Sequence, residues 1–223
     1  MIPRVLVDSA EIPGGGGELR LIRRGDEYSI MLGSNELMNS RLSGSEEALA
    51  ELACSKIAGR TRPNMLIGGL GMGFTLRAAL ERLPKDAEVT VVELVSAVIA
   101  WARGEMAHIF AGSLDDPRVS ILEADVGAFI AGRGAYDAIL LDVDNGPDGL
   151  TRDQHNRLYT LTGLRIAREA LSAGGVLAIW SSAPDPRFTD RLGRAGFQVE
   201  EVVARANRGR GGRHIIWVAT NPG

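Results

Sequence analysis

The stretch Asn64–Leu76, NMLIGGLGMGFTL, determines how the surrounding chain folds. It opens with a short apolar run, carries four glycines (Gly68, Gly69, Gly71 and Gly73), and continues with apolar residues at helical spacing. A short apolar run that ends in glycines is typical of a buried strand, and the pattern that follows is typical of a helix. Glycines between a strand and a helix let the backbone approach a nucleotide-like ligand closely. We therefore predict a strand–turn–helix unit with a ligand at the turn.

The spacing of these glycines argues against two classes of ligand. A phosphate-binding loop requires lysine after its last glycine, but Gly73 is followed by Phe74. A dinucleotide turn, Gly-x-Gly-x-x-Gly, requires a glycine where Phe74 or Leu76 stands. The pattern that remains, Gly-x-Gly-x-Gly over residues 69–73, is the spacing associated with S-adenosylmethionine. A tight connection without any ligand is the alternative.

Downstream of Pro63 the chain alternates between strand-like and helix-like segments. Seven strands are predicted, in the segments MLIG, EVTVVEL, RVSILEA, YDAILLD, GGVLAIWS, FQVEEVVAR and RHIIWVAT. Continuous β-branched runs between amphipathic helices indicate a mostly parallel sheet with helices on both faces, a Rossmann-like α/β fold. One long helix is predicted over residues 152–171. The last two strands form a predicted hairpin that places one antiparallel strand at the sheet edge.

The N-terminal part of the chain has a different texture. Residues 1–44 are rich in glycine, and the segment ELRLIRRGDEYSIML alternates around a tight turn at Arg24–Asp26. Alternation on both sides of such a turn predicts a β-hairpin. A helical pattern then runs from Ser45 to about Ala58. We therefore divide the chain into a small β-hairpin region, 1–44, and a nucleoside-binding domain, 45–223.

The composition restricts location and partners. The chain has 223 residues, 45% of them hydrophobic, and a net charge of −3, so nothing draws it generally toward nucleic acid. No run of about 18 apolar residues predicts a membrane span. The single cysteine, Cys54, suits a reducing cytoplasm and is predicted to be a buried structural thiol. We expect a cytoplasmic protein without membrane contact.

Acidic residues follow the strands that neighbour the glycine turn. Glu93 ends the second predicted strand, twenty residues beyond Gly73, where a carboxylate can accept hydrogen bonds from ribose hydroxyls. Asp125 follows the third strand and is predicted to accept from an adenine amino group. A surface acid at a strand end is the alternative for each. Because open α/β sheets bind ligands at the carboxyl ends of their strands, these groups should face one crevice.

The fourth strand has the most polar exit, LLDVDNGPDGL. Asp142 and Asp144 lie two residues apart, so they face the same way in an extended segment. Together they can attract an ammonium group, and one of them can take its proton. Ordinary turn chemistry is the first alternative. Oxygen ligation of a divalent cation, including Asn145, is a lesser one, so no metal is predicted.

The segments IGGLGMG, VVELV, LDDPRVSILEAD and YDAILLDVD together resemble the spermidine synthase family of aminopropyltransferases. The resemblance covers roughly residues 18–185 and implies a class I methyltransferase fold after a small N-terminal β-domain. It implies decarboxylated S-adenosylmethionine as donor and a polyamine nitrogen as acceptor. By this similarity Glu93 binds ribose, Asp125 binds adenine and Asp142 is the catalytic base. A homodimer is implied as well.

The sequence also departs from the family pattern. The glycine turn of the family carries an aspartate for the aminopropyl amine where this chain has Gly71. The second acid of the catalytic loop is displaced to Asp144. The Tyr-x-Glu signature is replaced by Ser45 and Glu47, and a Phe-Tyr pair by Gly163-Leu164. The nucleoside half of the pattern is therefore largely kept, and the polyamine half is largely lost.

The leading interpretation is a spermidine synthase-like transferase that moves an aminopropyl or methyl group from S-adenosylmethionine or its decarboxylated form to a small-molecule acceptor, such as an amine. A small-molecule methyltransferase is the alternative, favoured by Gly71. A non-catalytic nucleoside-binding protein is a further one. An RNA-associated protein would use the arginines of residues 205–213, which we interpret first as a solvated hairpin loop.

Overall fold

Two β-sheets organise the chain, and the computed structural model describes residues 2–132, 134–143, 157–207 and 210–223. The strands are β1 (Val5–Glu11), β2 (Glu18–Arg24), β3 (Glu27–Leu32), β4 (Asn35–Asn39), β5 (Asn64–Gly68), β6 (Glu88–Glu93), β7 (Val119–Glu123), β8 (Tyr136–Leu141), β9 (Leu171–Ser181), β10 (Gln198–Asn207) and β11 (Arg210–Thr220). The helices are α1 (Gly44–Lys56), α2 (Phe74–Arg82), α3 (Ser96–Arg103), α4 (Ala107–Phe110), α5 (Val126–Ala131), α6 (Leu161–Ala170) and α7 (Pro186–Arg194). A short 3₁₀ helix covers Ser113–Asp115.

The larger sheet has seven strands in the order β10-β11-β9-β8-β5-β6-β7. Neighbouring strands from β9 to β7 run parallel. Strands β5 and β8 are buried along almost their whole length, which explains why their sequences are continuously apolar rather than alternating. The mostly parallel seven-stranded fold predicted from the sequence is confirmed.

Two details of the predicted sheet and helices are wrong. The antiparallel strand is β11, and it lies between β9 and β10 rather than at the edge. Strand β11 is apolar and buried along its second half, whereas β10 is largely exposed, so burial favours β11 inside. The predicted long helix is also interrupted, because residues 157 and 158 are helical, Tyr159 and Thr160 are not, and α6 covers Leu161–Ala170; residues 152–156 lie outside the described ranges. The hydroxyl of Thr160 caps α6 by accepting from the Gly163 amide.

The smaller sheet is a four-stranded antiparallel meander, β1-β2-β3-β4. The predicted hairpin is its central pair, with Arg24 opposite Glu27 across a two-residue turn that contains Gly25 at φ 62°. Strands β1 and β4 extend it on both sides, beyond what the sequence predicted. Apolar residues of both sheets belong to one continuous core, and Trp101 Nε1 donates to Asp8 Oδ2 between them (2.6 Å). The boundary between residues 44 and 45 stays a prediction.

Candidate active site

The cavity beside the glycine turn lies at the carboxyl ends of β5, β6 and β8. Three acidic residues predicted from the sequence, Glu93, Asp125 and Asp142, line it together with Gly69 and Gly71. The opposite wall comes from the small sheet and from the connection between β1 and β2, and is apolar: Ile12, Leu19, Ile30, Leu37 and Met38. The structure therefore brings most of the predicted site residues to one cavity and closes it with the N-terminal sheet.

Gly69 allows the closest backbone approach at this turn. It has φ +91°, and a Cβ built there would lie 2.3 Å from the backbone oxygen of Asp142. The Gly69 amide donates to Val92 O (2.9 Å), and the Asp142 amide donates to Gly68 O (3.0 Å). A side chain at Gly69 would push apart the turn and the strand exit that carries Asp142. The absence of a side chain at Gly69 therefore allows the glycine turn and the end of β8 to stay in contact.

The other glycines of the turn have different surroundings. Gly71, at φ +51°, faces Met38, whose sulfur would lie 3.0 Å from a Cβ at that position. Gly68 and Gly73 do not line the cavity; they leave room for Val126 and Phe110. These two glycines therefore serve the packing of the turn, whereas Gly69 and Gly71 face the ligand space.

Glu93 is fixed by the backbone on both sides of it. Its Oε2 accepts from the Leu70 amide and its Oε1 from the Val95 amide, each at 2.9 Å. The side chain is buried and still borders the cavity. A carboxylate is a pure acceptor, the kind of group that binds hydroxyl donors. This arrangement suits a diol such as the ribose hydroxyls.

Asp125 also has a structural task. Its Oδ1 accepts from the Ala128 amide (2.7 Å), which caps the N-terminus of α5. The cap holds the side chain at the cavity wall, where Asp125 is one of the lining residues. One side chain can therefore stabilise α5 and still contact a ligand.

Asp142 follows β8 and is partly exposed. Thr75 at the start of α2 donates to its Oδ2 (2.6 Å). Burial nevertheless raises the pKa of Asp142, because the hydrogen bond from Thr75 only partly offsets the loss of hydration. A carboxylate whose proton affinity is raised toward neutrality is better suited to accept a proton from a substrate.

Glu46 is the residue at this site that the sequence analysis missed. The family resemblance placed the upstream acid at Glu47, but Glu47 Oε1 accepts from Ser43 Oγ at the start of α1 (2.8 Å). Glu46 is the partly buried acid whose charge interacts with that of Asp142. Burial is the largest cause of its raised pKa, and the neighbouring Asp142 charge is the second. The two carboxyl groups therefore disfavour being ionised at the same time.

The pair predicts a pH dependence of stability. The folded chain raises the pKa of Glu46 from 4.5 to about 7, so folding favours the protonated form. The contribution of Glu46 to the free energy of unfolding is therefore fully present below pH 4.5 and is lost as the pH rises through 7. Glu46→Gln, which carries no charge, should be about 2 kcal/mol more stable than the natural chain at pH 8.

Urea unfolding at pH 4.5 and pH 8 measures this difference. Glu81→Gln removes one exposed charge from the neighbouring helix α2 and serves as the control for net charge. A Glu46→Gln variant that gains no stability at the higher pH would show that the ionised Glu46 carboxylate does not destabilise the folded chain.

Several predicted residues lie away from the site or outside the described residues. Asp144, Asn145 and Arg208 lie outside the described residues. Cys54 is buried, as predicted, and burial raises its pKa to about 11. Within the described ranges no group of three or more potential metal ligands occurs. Among the described helices, none has the length and apolar character that a membrane-crossing helix requires.

The segment with the most specific local match to the family, Asp115–Val119, lies at the other end of β7. Arg118 donates to both carboxylate oxygens of Asp116 and to the backbone oxygen of Leu83. The ion pair holds the pKa of Asp116 at about 2. This segment therefore anchors the start of β7 to the end of α2 and does not contact the cavity.

No family model matches the chain. It is similar to curated polyamine aminopropyltransferases, with 30% identity over 172 residues to the protein of Mycobacterium tuberculosis strain H37Rv. That match covers 75% of this chain and 31% of the relative, so the chain spans about a third of that protein's length. The Streptomyces coelicolor protein, polyamine aminopropyltransferase 1, is 33% identical over 124 residues, which are 54% of this chain and 22% of the relative.

Solved structures show the same fold. Spermidine synthase from Thermotoga maritima superposes with a TM-score of 0.76 at 18% identity, covering 97% of this chain and 72% of that one. A spermidine synthase in complex with the transition state analogue AdoDATO gives 0.75 with the same identity and coverage. The chain is therefore spermidine synthase-like, related in sequence to the polyamine aminopropyltransferases and sharing the fold of spermidine synthases.

Proposed function

We propose that the chain is a transferase that moves the aminopropyl group of decarboxylated S-adenosylmethionine to an amine. The observation that carries the proposal is the cavity in which Glu93, Asp125 and Asp142 meet beside the glycine turn. Relatives named polyamine aminopropyltransferase and a neighbour in complex with AdoDATO support the same reading. The donor is a substrate: the amine nitrogen attacks the aminopropyl carbon bonded to the sulfonium sulfur, the carbon–sulfur bond breaks, and methylthioadenosine leaves.

The residues present divide the work of such a reaction. Glu93 accepts from the ribose hydroxyls and Asp125 from the adenine amino group, which fixes the donor. An amine with a pKa near ~10 is protonated at neutral pH, so its nitrogen must lose a proton before it attacks. Asp142 accepts that proton. The rest of the rate comes from holding the nitrogen in line with the carbon–sulfur bond.

Calorimetry tests donor binding directly. Decarboxylated S-adenosylmethionine, S-adenosylmethionine and methylthioadenosine are titrated into the chain under identical conditions. All three contain the nucleoside, so all should bind, and the decarboxylated donor should bind at least as tightly as the carboxylated one. Absence of heat with all three at high micromolar concentration would remove the donor assignment.

Glu93→Gln should weaken binding of methylthioadenosine about tenfold to one-hundredfold, because an amide replaces the charged acceptor for the ribose hydroxyls. The matched control is Glu123→Gln. Glu123 ends the neighbouring strand directly opposite Glu93 but is exposed and does not line the cavity. Titration of both variants separates a ribose contact from a general loss of negative charge. Equal weakening by the two substitutions would contradict the assignment.

Methyl transfer from S-adenosylmethionine is the second candidate function, and Gly71 is the observation that favours it. No carboxylate stands at this position to bind the aminopropyl amine, and Met38 covers it instead. The apolar wall of the small sheet continues from Met38 through Leu37 and Ile30. An apolar surface favours the aminopropyl tail of the decarboxylated donor over the carboxylated tail of S-adenosylmethionine less strongly than an aspartate would.

A double substitution tests this point. Gly71→Asp restores the acid, and Met38→Ala removes the sulfur that would crowd its Cβ at 3.0 Å. Aspartate tolerates the left-handed backbone of this position better than most residues do. The double variant should bind the decarboxylated donor about tenfold tighter, through one charge-assisted hydrogen bond, and should not gain affinity for S-adenosylmethionine.

The control for this experiment is Gly71→Asn combined with Met38→Ala, which has the same shape without the charge. Calorimetry should show no gain for the control. A gain of equal size in both double variants would mean that volume, and not charge, selects the donor tail.

A homodimer and a cytoplasmic location stay predictions.

A further inference from the structure

A chain of hydrogen bonds leads away from the acid pair toward the C-terminal hairpin. The hydroxyl of Ser45, fully buried in the first turn of α1, lies 2.6 Å from Glu46 Oε2. The same oxygen lies 2.8 Å from Nδ1 of His214 on β11. Ser45 thus connects Glu46 to an imidazole that is 169 residues away in sequence.

The imidazole lies at the outer end of this chain. His214 is partly exposed, and its ring packs edge-on against Trp180 at a centroid distance of 4.8 Å. Burial lowers the pKa of His214, which favours the neutral ring with one donor and one acceptor nitrogen. A neutral imidazole can receive a proton on one nitrogen and release one from the other.

A serine hydroxyl has one proton, so Ser45 donates in one of its two hydrogen bonds and accepts in the other whenever that proton stays within the chain of hydrogen bonds. When Glu46 is ionised, Ser45 donates to Glu46 and the Nδ1–H of His214 donates to Ser45. When Glu46 is protonated, it donates to Ser45, and Ser45 donates to a bare Nδ1. Changing the state of Glu46 therefore reverses both bonds and changes the tautomer of the ring.

We propose that Ser45 is a proton relay between Glu46 and His214, through which the proton taken from the acceptor amine leaves the active site. The proposal rests on the transferase function proposed above. The acceptor nitrogen gives its proton to Asp142, and the acid pair holds it on Glu46. Glu46 then donates it to Ser45 while Ser45 donates its own to Nδ1 of His214. The ring then releases a proton from Nε2 to solvent, which leaves Glu46 ionised and the ring neutral with its proton on Nδ1.

The surroundings of the relay contain both signs of charge. Glu46 is faced by Asp142 and by its neighbour Glu47, both of which favour its protonated form when they are ionised. The hairpin that carries His214 also carries Arg213, which pairs across the strands with Arg205. Successive side chains on a strand point to opposite faces, so these arginines lie on the other face of the hairpin from His214, and burial is the cause of its lowered pKa.

Nitrogen-15 NMR of the imidazoles tests the relay without any substrate. His214→Gln identifies the signals of His214 among the three histidines of the chain. In the natural chain the ring should change from the Nδ1–H to the Nε2–H tautomer as the pH falls through the titration of Glu46. Glu46→Gln should abolish this change, because its amide does not titrate. Ser45→Ala should abolish the change.

Rates then test whether the relay serves catalysis. Ser45→Ala and His214→Gln should each lower kcat about tenfold at neutral pH with the donor KM unchanged, and the double variant should fall no further. His108→Gln changes an exposed histidine on α4 and serves as the control. His214→Gln, at a partly exposed position, carries the same test if Ser45→Ala destabilises the chain.

The outcomes separate the two proposals. A tautomer that does not change with pH in the natural chain, or that changes equally in Ser45→Ala, overturns the relay. Unchanged kcat in both single variants overturns its catalytic role. A failure of the transferase proposal shows itself elsewhere, as absence of donor binding by calorimetry, while the NMR result stands by itself.

Discussion

Replacing Asp142 by asparagine should lower kcat for group transfer by about 1,000-fold while leaving donor affinity almost unchanged. The asparagine keeps the shape of the side chain and can still contact Thr75, which donates to Asp142 in the natural chain. It cannot accept the proton of an ammonium group, so the acceptor nitrogen stays protonated. The loss should therefore fall on the chemical step and not on binding.

Steady-state rates and calorimetry on the same preparation measure the two effects separately. Asp115→Asn, an exposed aspartate whose side chain is 85% accessible, is the control for charge removal at a distance from the cavity. A variant at Asp142 that retains full turnover would rule out this residue as the base. Equal loss of donor binding and turnover would make Asp142 a binding residue instead.

Gly69→Ala should destroy donor binding and destabilise the fold by about 3 kcal/mol. Two effects combine here: the residue has φ +91°, and its Cβ would lie 2.3 Å from the backbone oxygen of Asp142. Backbone atoms cannot rotate away as a flexible side chain can, so the turn and the β8 exit must separate. Separation moves Gly71 and Asp142 apart and opens the cavity.

Gly112→Ala is the matched control, because Gly112 has φ +82° but open space where its Cβ would lie. It should lose only the cost of a left-handed alanine, about 1–2 kcal/mol. Urea unfolding of both variants and titration with methylthioadenosine give the comparison. Equal destabilisation by the two substitutions, with binding retained in Gly69→Ala, would show that the close approach at Gly69 is unimportant.

The sequence predicted well the features that depend on local pattern. Apolar runs separated by amphipathic helices gave the parallel sheet, and a parallel sheet necessarily gathers the ends of its strands at one edge. Glu93 ends β6, and Asp125 and Asp142 lie within two residues of the ends of β7 and β8, so knowing the fold was enough to bring them together. The glycine turn was recognisable because its spacing excludes other ligands.

Features that depend on tertiary packing were not predictable in this way. Glu46 and Glu47 are adjacent on α1 and point about 100° apart, but the helical pattern alone did not show which one faces the site. Met38 belongs to β4, a short strand of a separate sheet, and its contact with Gly71 follows from how the two sheets pack. The hydrogen bond between Ser45 and His214 joins opposite ends of the chain.

The hairpin at the end of the chain shows the same limit. Its two strands were identified, but their order in the sheet depends on which one has the more apolar neighbours. Strand β11 pairs with β9 through the buried residues Ile216–Ala219. Strand β10 is largely exposed and lies at the edge of the sheet, where β11 is its neighbour. Burial of a whole strand is a property of the assembled sheet and not of the hairpin alone.

The most direct test of the proposed function is the product released from the donor. The chain is incubated in parallel with decarboxylated S-adenosylmethionine and with S-adenosylmethionine, each with a panel of diamines and polyamines, and the products of both donors are quantified by mass spectrometry. The proposal predicts one methylthioadenosine for each aminopropylated amine, with about 1,000-fold slower formation by Asp142→Asn. No methylthioadenosine with any amine, together with S-adenosylhomocysteine formed from S-adenosylmethionine, would contradict it and establish methyl transfer instead.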